Sequence, residues 1–436
     1  MIIFDQKGNF TISVQKTFLG FGLGAVQSGL MLYEAKKSGN FNRYVILEVN
    51  DDLVKVIRKA NSTISVNTAT ENGIIKSKIY DFEIYNPQKI TDRRSIESAI
   101  SEADEMATAI PSIDYYDSGG ENSIANLLAR NLNPDKPQII YAAENNNYAS
   151  EILLDKIITH TGGKKPEKFQ ALNTVIGKMG GVIQDSMTIK ELGLDLQVPG
   201  GQNAILVEEF NNIIVSKVLL KGVKRGIDVF QEKEDLLPFE EAKLFGHNAV
   251  HSMLGFLAYF KNYLFMSDIR NDPSLYQYGE IAFREECGAL LLKKYKNLND
   301  PLFTKEGFEF YGSDLLKRMT NPYLRDEVKR ICRDPLRKIG YNDRFLGTIR
   351  EAFKQNVIAK TIAQAVIGGL CYIISEKINI GIDYPSNLSD LNTKNIKTIL
   401  EEVWKNEEDN GYKNDCLALI CSEFDEFSSN FLKYLT

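Results

Sequence analysis

Two of the three histidines in this 436-residue chain stand four residues apart, in Glu240-Glu241-Ala242-Lys243-Leu244-Phe245-Gly246-His247-Asn248-Ala249-Val250-His251. On a helix that turns by about 100° per residue, Glu240, Lys243, His247, Asn248 and His251 share an arc of about 140°. Phe245, Ala249, Met253, Phe256 and Leu257 take the other side. An acid, a base, an amide and an imidazole on one face can oxidise a secondary alcohol. Hydride leaves carbon, and Lys243 takes the hydroxyl proton once burial or a neighbouring charge lowers its pKa. In the reverse direction the oxygen gains negative character, which the Asn248 amide stabilises. His251 positions the substrate, and Glu240 carries protons between Lys243 and water. His247 and His251 have a spacing that zinc accepts. With no H-E-x-x-H, no cysteine nearby and no third ligand, the reading assigns no metal.

Hydride chemistry needs an acceptor, and an earlier segment offers a seat for one. Gly20-Phe21-Gly22-Leu23-Gly24-Ala25-Val26-Gln27-Ser28-Gly29 follows a strand-like run, TFLGF, and opens a helical pattern. Glycines there let the backbone turn tightly and approach a pyrophosphate, whose charge meets the N–H groups of the helix start. Two registers fit. Gly20, Gly22 and Ala25 match G-x-G-x-x-A; Gly22 and Gly24 match the first two glycines of G-x-G-x-x-G with Gln27 in the third place, and Ala25 and Val26 between them belong to the expected cofactor seat. Glu48 closes the second strand candidate, 24 residues beyond Gly24. A carboxylate there accepts from both ribose hydroxyls of NAD and repels the 2′-phosphate of NADP.

These residues need elements to hold them. Thr17 to Phe21, Tyr44 to Val49, Gln138 to Ala143 and Ala204 to Val207 read as buried strands, and helices run from about Ala25 to Lys37 and up to Lys59. Strands separated by helices of this length imply parallel β-α-β units. Beyond Pro238 the pattern becomes helical, over residues 239–264, 274–296, 313–332, 346–377, 393–407 and 413–434. The polar stretch Gly222 to Leu237 separates the two patterns. The expected architecture is α/β: a Rossmann-type NAD-binding domain over 1–236, then a mainly α-helical substrate and catalytic domain over 237–436, with a cleft between them.

Composition agrees with a globular chain: 43% apolar and 25% charged residues, 52 basic against 58 acidic, net charge −6. This balance, with no basic block, argues against capture of nucleic acid. The longest apolar stretch, Ile362 to Ile374, is interrupted by Gln364 and too short for a bilayer. Five widely spaced cysteines read as free thiols. The first residues, MIIFDQKGNF, lack a signal-peptide pattern. The expectation is a cytoplasmic monomer or homodimer acting on a small molecule, with no membrane partner.

Lys243-x4-Asn248-x2-His251 resembles the K-x4-N-x2-H signature of the polyol-specific long-chain dehydrogenases. That family includes mannitol 2-dehydrogenases, mannitol-1-phosphate 5-dehydrogenases and hexuronate reductases. Phe21-Gly22-Leu23-Gly24 through Gly29 is similar to its F-G-x-G-x-x-x-x-G start, and Glu48-Val49-Asn50 to its D-V-N. Glu144-Asn145 resembles its [DE]-N pair, which implies that Asn145 contacts the cofactor. Leu172-Asn173-Thr174-Val175 resembles its N-S-x-V segment, which implies that Asn173 is a second amide polarising the substrate oxygen. Arg333-Asp334-Pro335-Leu336-Arg337-Lys338-Ile339 through Asp343-Arg344 is similar to the R-x-P-x-R-K-L…D-R stretch of the mannitol-1-phosphate enzymes. Gly177-Lys178 stands where the family has D-R, and Gln27-Ser28 where G-R is frequent.

Arg333, Arg337 and Lys338 form a basic group suited to a phosphate or a carboxylate on the substrate. Salt pairing with Asp334 and Asp343 is the competing reading. The resemblance implies an NAD-dependent enzyme interconverting a sugar alcohol and a ketose, phosphorylated as in mannitol 1-phosphate or not. The alternatives are a hexuronate (mannonate or altronate) oxidoreductase and a non-catalytic NAD-binding sensor.

Overall fold

The protein is described from a computed structural model, over residues 2–4, 10–12 and 16–432. The last two residues of the expected helix 413–434 lie outside that range. The chain divides into two compact units, Met1–Leu236 and Leu237–Thr436.

In the first unit a short hairpin, Ile2–Phe4 with Phe10–Ile12, precedes twelve strands. These are β1 (Thr17–Phe21), β2 (Arg43–Leu47), β3 (Ile64–Ala69), β4 (Ile74–Ile79), β5 (Glu83–Tyr85) and β6 (Glu105–Thr108). They continue with β7 (Gln138–Ala142), β8 (Phe169–Val175), β9 (Gly180–Ile183), β10 (Ala204–Glu208), β11 (Ile214–Ser216) and β12 (Gln231–Lys233). The main sheet runs β5-β2-β1-β6-β7-β8 with every pair parallel, and is extended by β11, antiparallel to β8, and by β12. Numbered along the chain, the parallel part has the order 3-2-1-4-5-6, the doubly wound arrangement whose switch point lies between β1 and β6.

Both faces of that sheet are buried, so its strands are continuous apolar runs rather than alternating ones. Phe18, Ile46 and Tyr141 pack on one side with Leu30 and Met31. Leu19, Val45 and Ile140 pack on the other with Ile100, Leu128 and Leu153. The expectation for Ala204 to Val207 is corrected in one respect. The strand exists, but it belongs to a second sheet, β9-β10-β3-β4, that covers the outer side of the first helix. That helix, α1, runs over residues 25–38 with a π-turn at Gln27–Met31. A Cβ on Gly29 would stand 2.6 Å from Val207 Cγ1, so glycine is what lets α1 press against β10.

α1 is followed by α2 (Asp51–Lys59), α3 (Arg93–Glu102), α4 (Ile124–Asn131), α5 (Ala149–His160) and α6 (Ser186–Glu191). The second unit is helical. α7 spans residues 237–260 and α8 residues 273–294, each broken by a π-turn, Ala242–Asn248 and Ala282–Gly288. Then come α9 (Lys305–Met319), α10 (Val328–Ile331), α11 (Pro335–Lys338), α12 (Arg344–Lys354), α13 (Lys360–Ser375), α14 (Thr393–Val403), α15 (Lys413–Ser422) and α16 (Phe424–Phe431). Two expected helices divide. The span 313–332 breaks after Met319, because Pro322 disfavours helical backbone at Asn321. The span 346–377 breaks at Asn356, which takes a left-handed φ of 53°. No helix among the described residues is long and apolar enough to cross a membrane.

Candidate active site

The glycine turn lies at the carboxyl end of β1, at the switch point. Gly22 has φ +83°, and its N–H donates to Leu47 O at 2.8 Å. A Cβ there would meet Ala109 O at 2.8 Å, so both conformation and space demand glycine. At Gly24 a Cβ would meet nothing within 4 Å, leaving the backbone open to an approaching group. Gly22, Gly24, Ala25, Val26 and Glu48 line a cavity of about 470 Å³ whose other walls are mostly apolar, among them Ile110, Pro111 and Ile124. Glu48 is half-buried at its edge, with Oε1 accepting from the Asn50 N–H at 2.8 Å. The first-turn N–H groups of α1, the open Gly24 and the carboxylate fit a dinucleotide: pyrophosphate on the turn, ribose at Glu48.

Gly20 is placed elsewhere. It lies inside β1, and its Cβ would collide with the Gln27 side chain and Ile46 Cδ1. Gly20 therefore makes room for Gln27, which occupies the third glycine place on α1. Asn145 stands exposed just beyond β7. Its neighbour Glu144 is buried and accepts from Thr108 Oγ1 at 2.7 Å, the Ile110 N–H at 3.0 Å and Tyr116 OH. Burial raises the Glu144 pKa above the usual carboxylate range. Glu144 thus braces the Ala109–Ile110 wall of the cavity. Asn173, on β8, is also engaged: Oδ1 accepts from the Ser150 N–H at 2.8 Å and Nδ2 donates to Glu151 at 2.7 Å. It fixes the start of α5.

In the second unit the polar cluster lies on the π-turn of α7. The wider i→i+5 turn leaves carbonyls that side chains cover. Tyr311 OH donates to Ala242 O at 3.4 Å, Cys287 Sγ to Phe245 O at 2.9 Å and Arg344 Nη1 to Asn248 O at 3.4 Å. The regular 100° spacing assumed from sequence does not hold across this turn. Lys243, Asn248 and Glu240 are half-buried, whereas His247 and His251 are buried.

Burial lowers the Lys243 pKa to about 8; Glu240 works against the shift and Arg344 adds to it. That value makes the amine an effective proton acceptor near neutrality. Burial, then His251 and Arg318, push His247 well below its ordinary value, so it is neutral. His251 Nε2 lies 3.2 Å from Asp326 Oδ2, and Asp326 Oδ1 accepts from Arg330 Nε at 2.7 Å. Burial opposes ionisation of Asp326, but His251 and Arg330 hold its pKa below the usual range. A carboxylate thus faces the imidazole at close range. No group of three His, Cys, Asp or Glu among the described residues is placed to hold a metal ion.

The basic stretch resolves into different roles. Lys338 is corrected: it is buried and its ammonium is engaged in donating to Ile331 O and Arg333 O. Burial brings its pKa to about 8. Arg333 is exposed, and Arg337 pairs with Asp343 at 3.3 Å. The guanidinium beside the π-turn of α7 is that of Arg344, with Nη1 3.0 Å from Ser252 Oγ and Nε 2.8 Å from Asp343 Oδ1. Sequence reasoning quoted the Asp343-Arg344 pair without assigning it a site role. Asp326 carried no signal at all.

The family model described as the mannitol dehydrogenase C-terminal domain matches residues 235–408, which contain this whole cluster. Over that stretch the chain is similar to the mannitol dehydrogenases. The chain is 26% identical over 360 residues to the mannitol-1-phosphate 5-dehydrogenase of Caldanaerobacter subterraneus, covering 82% of this chain and 86% of that one. It is 28% identical over 336 residues to the enzyme of that name from Clostridium acetobutylicum, covering 76% and 80%. Two solved structures share the fold. A substrate-free D-sorbitol dehydrogenase superposes with a TM-score of 0.71 at 13% identity, over 96% of this chain and 94% of that one. The Pseudomonas fluorescens mannitol 2-dehydrogenase, in a ternary complex with NAD and D-mannitol, superposes with a TM-score of 0.64 at 14% identity, over 97% and 94%.

Proposed function

We propose that the protein is an NAD-dependent oxidoreductase that interconverts a sugar alcohol and the corresponding ketose, with mannitol 1-phosphate as the favoured substrate. The observation that carries this reading is Lys243: a buried-side lysine brought to about 8 on a π-turn, next to Asn248 and Arg344, in a chain whose other unit has a dinucleotide turn. NAD, when bound, accepts the hydride of the alcohol and returns it to the ketone. Lys243 removes the hydroxyl proton in oxidation and, as the ammonium, supplies it in reduction. Glu240 passes that proton to water. Asn248 donates to the substrate oxygen and His251, facing Asp326, fixes the sugar chain, whereas the resemblance-based role of Asn173 competes with its bonds to Ser150 and Glu151. Arg333, Arg337 and Arg344 favour a substrate that ends in an anion. Glu48 selects NAD over NADP, with Asn145 beside the cofactor. The five cysteines are all unpaired, which suits the cytoplasm.

The test is an absorbance screen at the nicotinamide band with mannitol, mannitol 1-phosphate, mannonate and altronate, each with NAD and with NADP. Turnover of mannitol 1-phosphate with NAD is expected. Preference for mannonate or altronate would move the anion assignment to a carboxylate. NAD binding without turnover of any of the four would reduce the protein to a sensor, and equal use of NADP would remove the role given to Glu48.

A further inference from the structure

The five residues between α11 and α12 deliver Arg344 to the π-turn of α7; Arg350 holds them from α12, through Tyr341 O and Asn342 Oδ1, and a second set of bonds comes from far along the chain. Trp404 is buried and its Nε1 donates to Ile339 O at 2.8 Å. Glu407 Oε1 accepts from the Tyr341 N–H at 2.9 Å. Its Oε2 accepts from the Asn342 N–H at 3.0 Å and from Asn342 Nδ2 at 2.7 Å. Lys413 Nζ ties this segment together, donating to Trp404 O at 3.1 Å and Glu407 O at 2.6 Å. Tyr341 OH reaches Asn410 Oδ1 at 2.6 Å. At the loop's end, Asp343 Oδ1 accepts from Arg344 N at 2.7 Å and Arg344 Nε at 2.8 Å. Two carboxylates thus act in series. Glu407 fixes the loop backbone, and Asp343 aims the guanidinium at Ser252 Oγ and Asn248 O.

We propose that Glu407 is a positioning residue for catalysis: its carboxylate, by holding Tyr341 and Asn342, seats Arg344 against the turn that carries Lys243 and Asn248. The proposal rests on the reading of Lys243 as the base. Glu407 touches neither substrate nor cofactor. It acts through Arg344, whose positive charge helps keep the Lys243 amine unprotonated and whose hydrogen bond covers the Asn248 carbonyl. Other titratable groups also face this turn. Glu240 and Glu241 precede it on α7. His247 and the Cys287 thiol of α8 are neutral, as is the Tyr311 phenol of α9. His251 is paired with Asp326, and Arg318 bears on His247.

Glu407→Gln keeps the shape but replaces one acceptor oxygen by a donor that faces an N–H. Two readouts apply. The first is the pH dependence of Lys243 acylation by acetic anhydride, followed by peptide mass spectrometry, which needs no turnover. Its midpoint should lie near 8 in the parent protein and rise modestly in Glu407→Gln, because burial is the main cause of the lowering and Arg344 adds a smaller part. The second is kcat for mannitol 1-phosphate oxidation, which should fall about tenfold through misplacement of the turn. In an Arg344→Lys background the Glu407→Gln effect on both should shrink, since the two act through one contact. An unmoved midpoint in folded Glu407→Gln, or effects that simply add in the double variant, would overturn the proposal. If the parent protein shows the midpoint but turns over no substrate in the panel, it is the enzyme reading that fails. The acylation arm then decides this one alone.

Discussion

The two units build their sites from different material. In the first, the wall of the cavity is largely backbone and apolar side chain, with Glu48 at one edge. In the second, the groups proposed to work are side chains, Lys243, Asn248, Arg344, His251 and Asp326, whose behaviour is set by burial and by one another. A site made of backbone is damaged by adding atoms. A site made of buried charges is damaged by removing them.

The largest effect should come from the second unit. Lys243→Ala removes the proton acceptor and should lower kcat by about 1000-fold, within the usual range for a lost general base. NAD affinity should stay unchanged, as measured by fluorescence titration. The pH dependence has a definite sign. Oxidation needs the neutral amine, so the parent rate should rise with pH through about 8 and then level. Reduction needs the ammonium and should fall over the same interval. Both limbs should vanish in Lys243→Ala, and undiminished turnover would show that another group is the base.

In the first unit the damaging change is a single methyl. Gly22→Ala forces an L residue to φ +83° and sets a Cβ 2.8 Å from Ala109 O. The backbone term alone is about 1–2 kcal/mol. Thermal stability and NAD affinity should both drop, the latter by about 100-fold. Gly24→Ala should separate the two. Its Cβ meets nothing within 4 Å in the protein, so melting should be unaltered while NAD binding weakens, because the methyl stands where the pyrophosphate approaches. If Gly24→Ala binds NAD as the parent does, the turn is not the phosphate seat.

The same contrast explains what could be read from the chain beforehand. That the glycine turn and Glu48 line one cavity was legible because a backbone-walled cavity leaves its mark in residue types that free or restrict the backbone. The parallel sheet was legible because strands buried on both faces are uninterrupted apolar runs. The second sheet was not: Ala204 to Val207 has the same composition as a main-sheet strand, and nothing local says which sheet it joins. The polar residues of α7 were visible, but the π-turn that sets their phase was not, since it depends on donors from Tyr311, Cys287 and Arg344. Lys338 was misread for a related reason. A lysine that closes carbonyls inside a turn cannot be distinguished by sequence from one that faces a ligand. Asp326 and Glu407 act through partners 75 and more than 60 residues away, respectively, distances that no local pattern records.

The smallest effect concerns the one place where the first unit departs from this description. Gln27 is fully buried, and neither its Nε2 nor its Oε1 has a hydrogen-bond partner among the described residues. A buried amide without partners costs about 1–3 kcal/mol. Gln27→Met retains the length and flexibility of the side chain above Gly20 and removes the polar atoms. Because Gln27 does not line the cavity, NAD affinity should be unaffected, and calorimetry should show the first unit melting about 2–4 °C higher. A lower melting temperature would mean that the amide holds a buried water. The first unit would then also depend on a polar side chain at its core, and the division between a backbone-made and a charge-made site would have to be redrawn at α1.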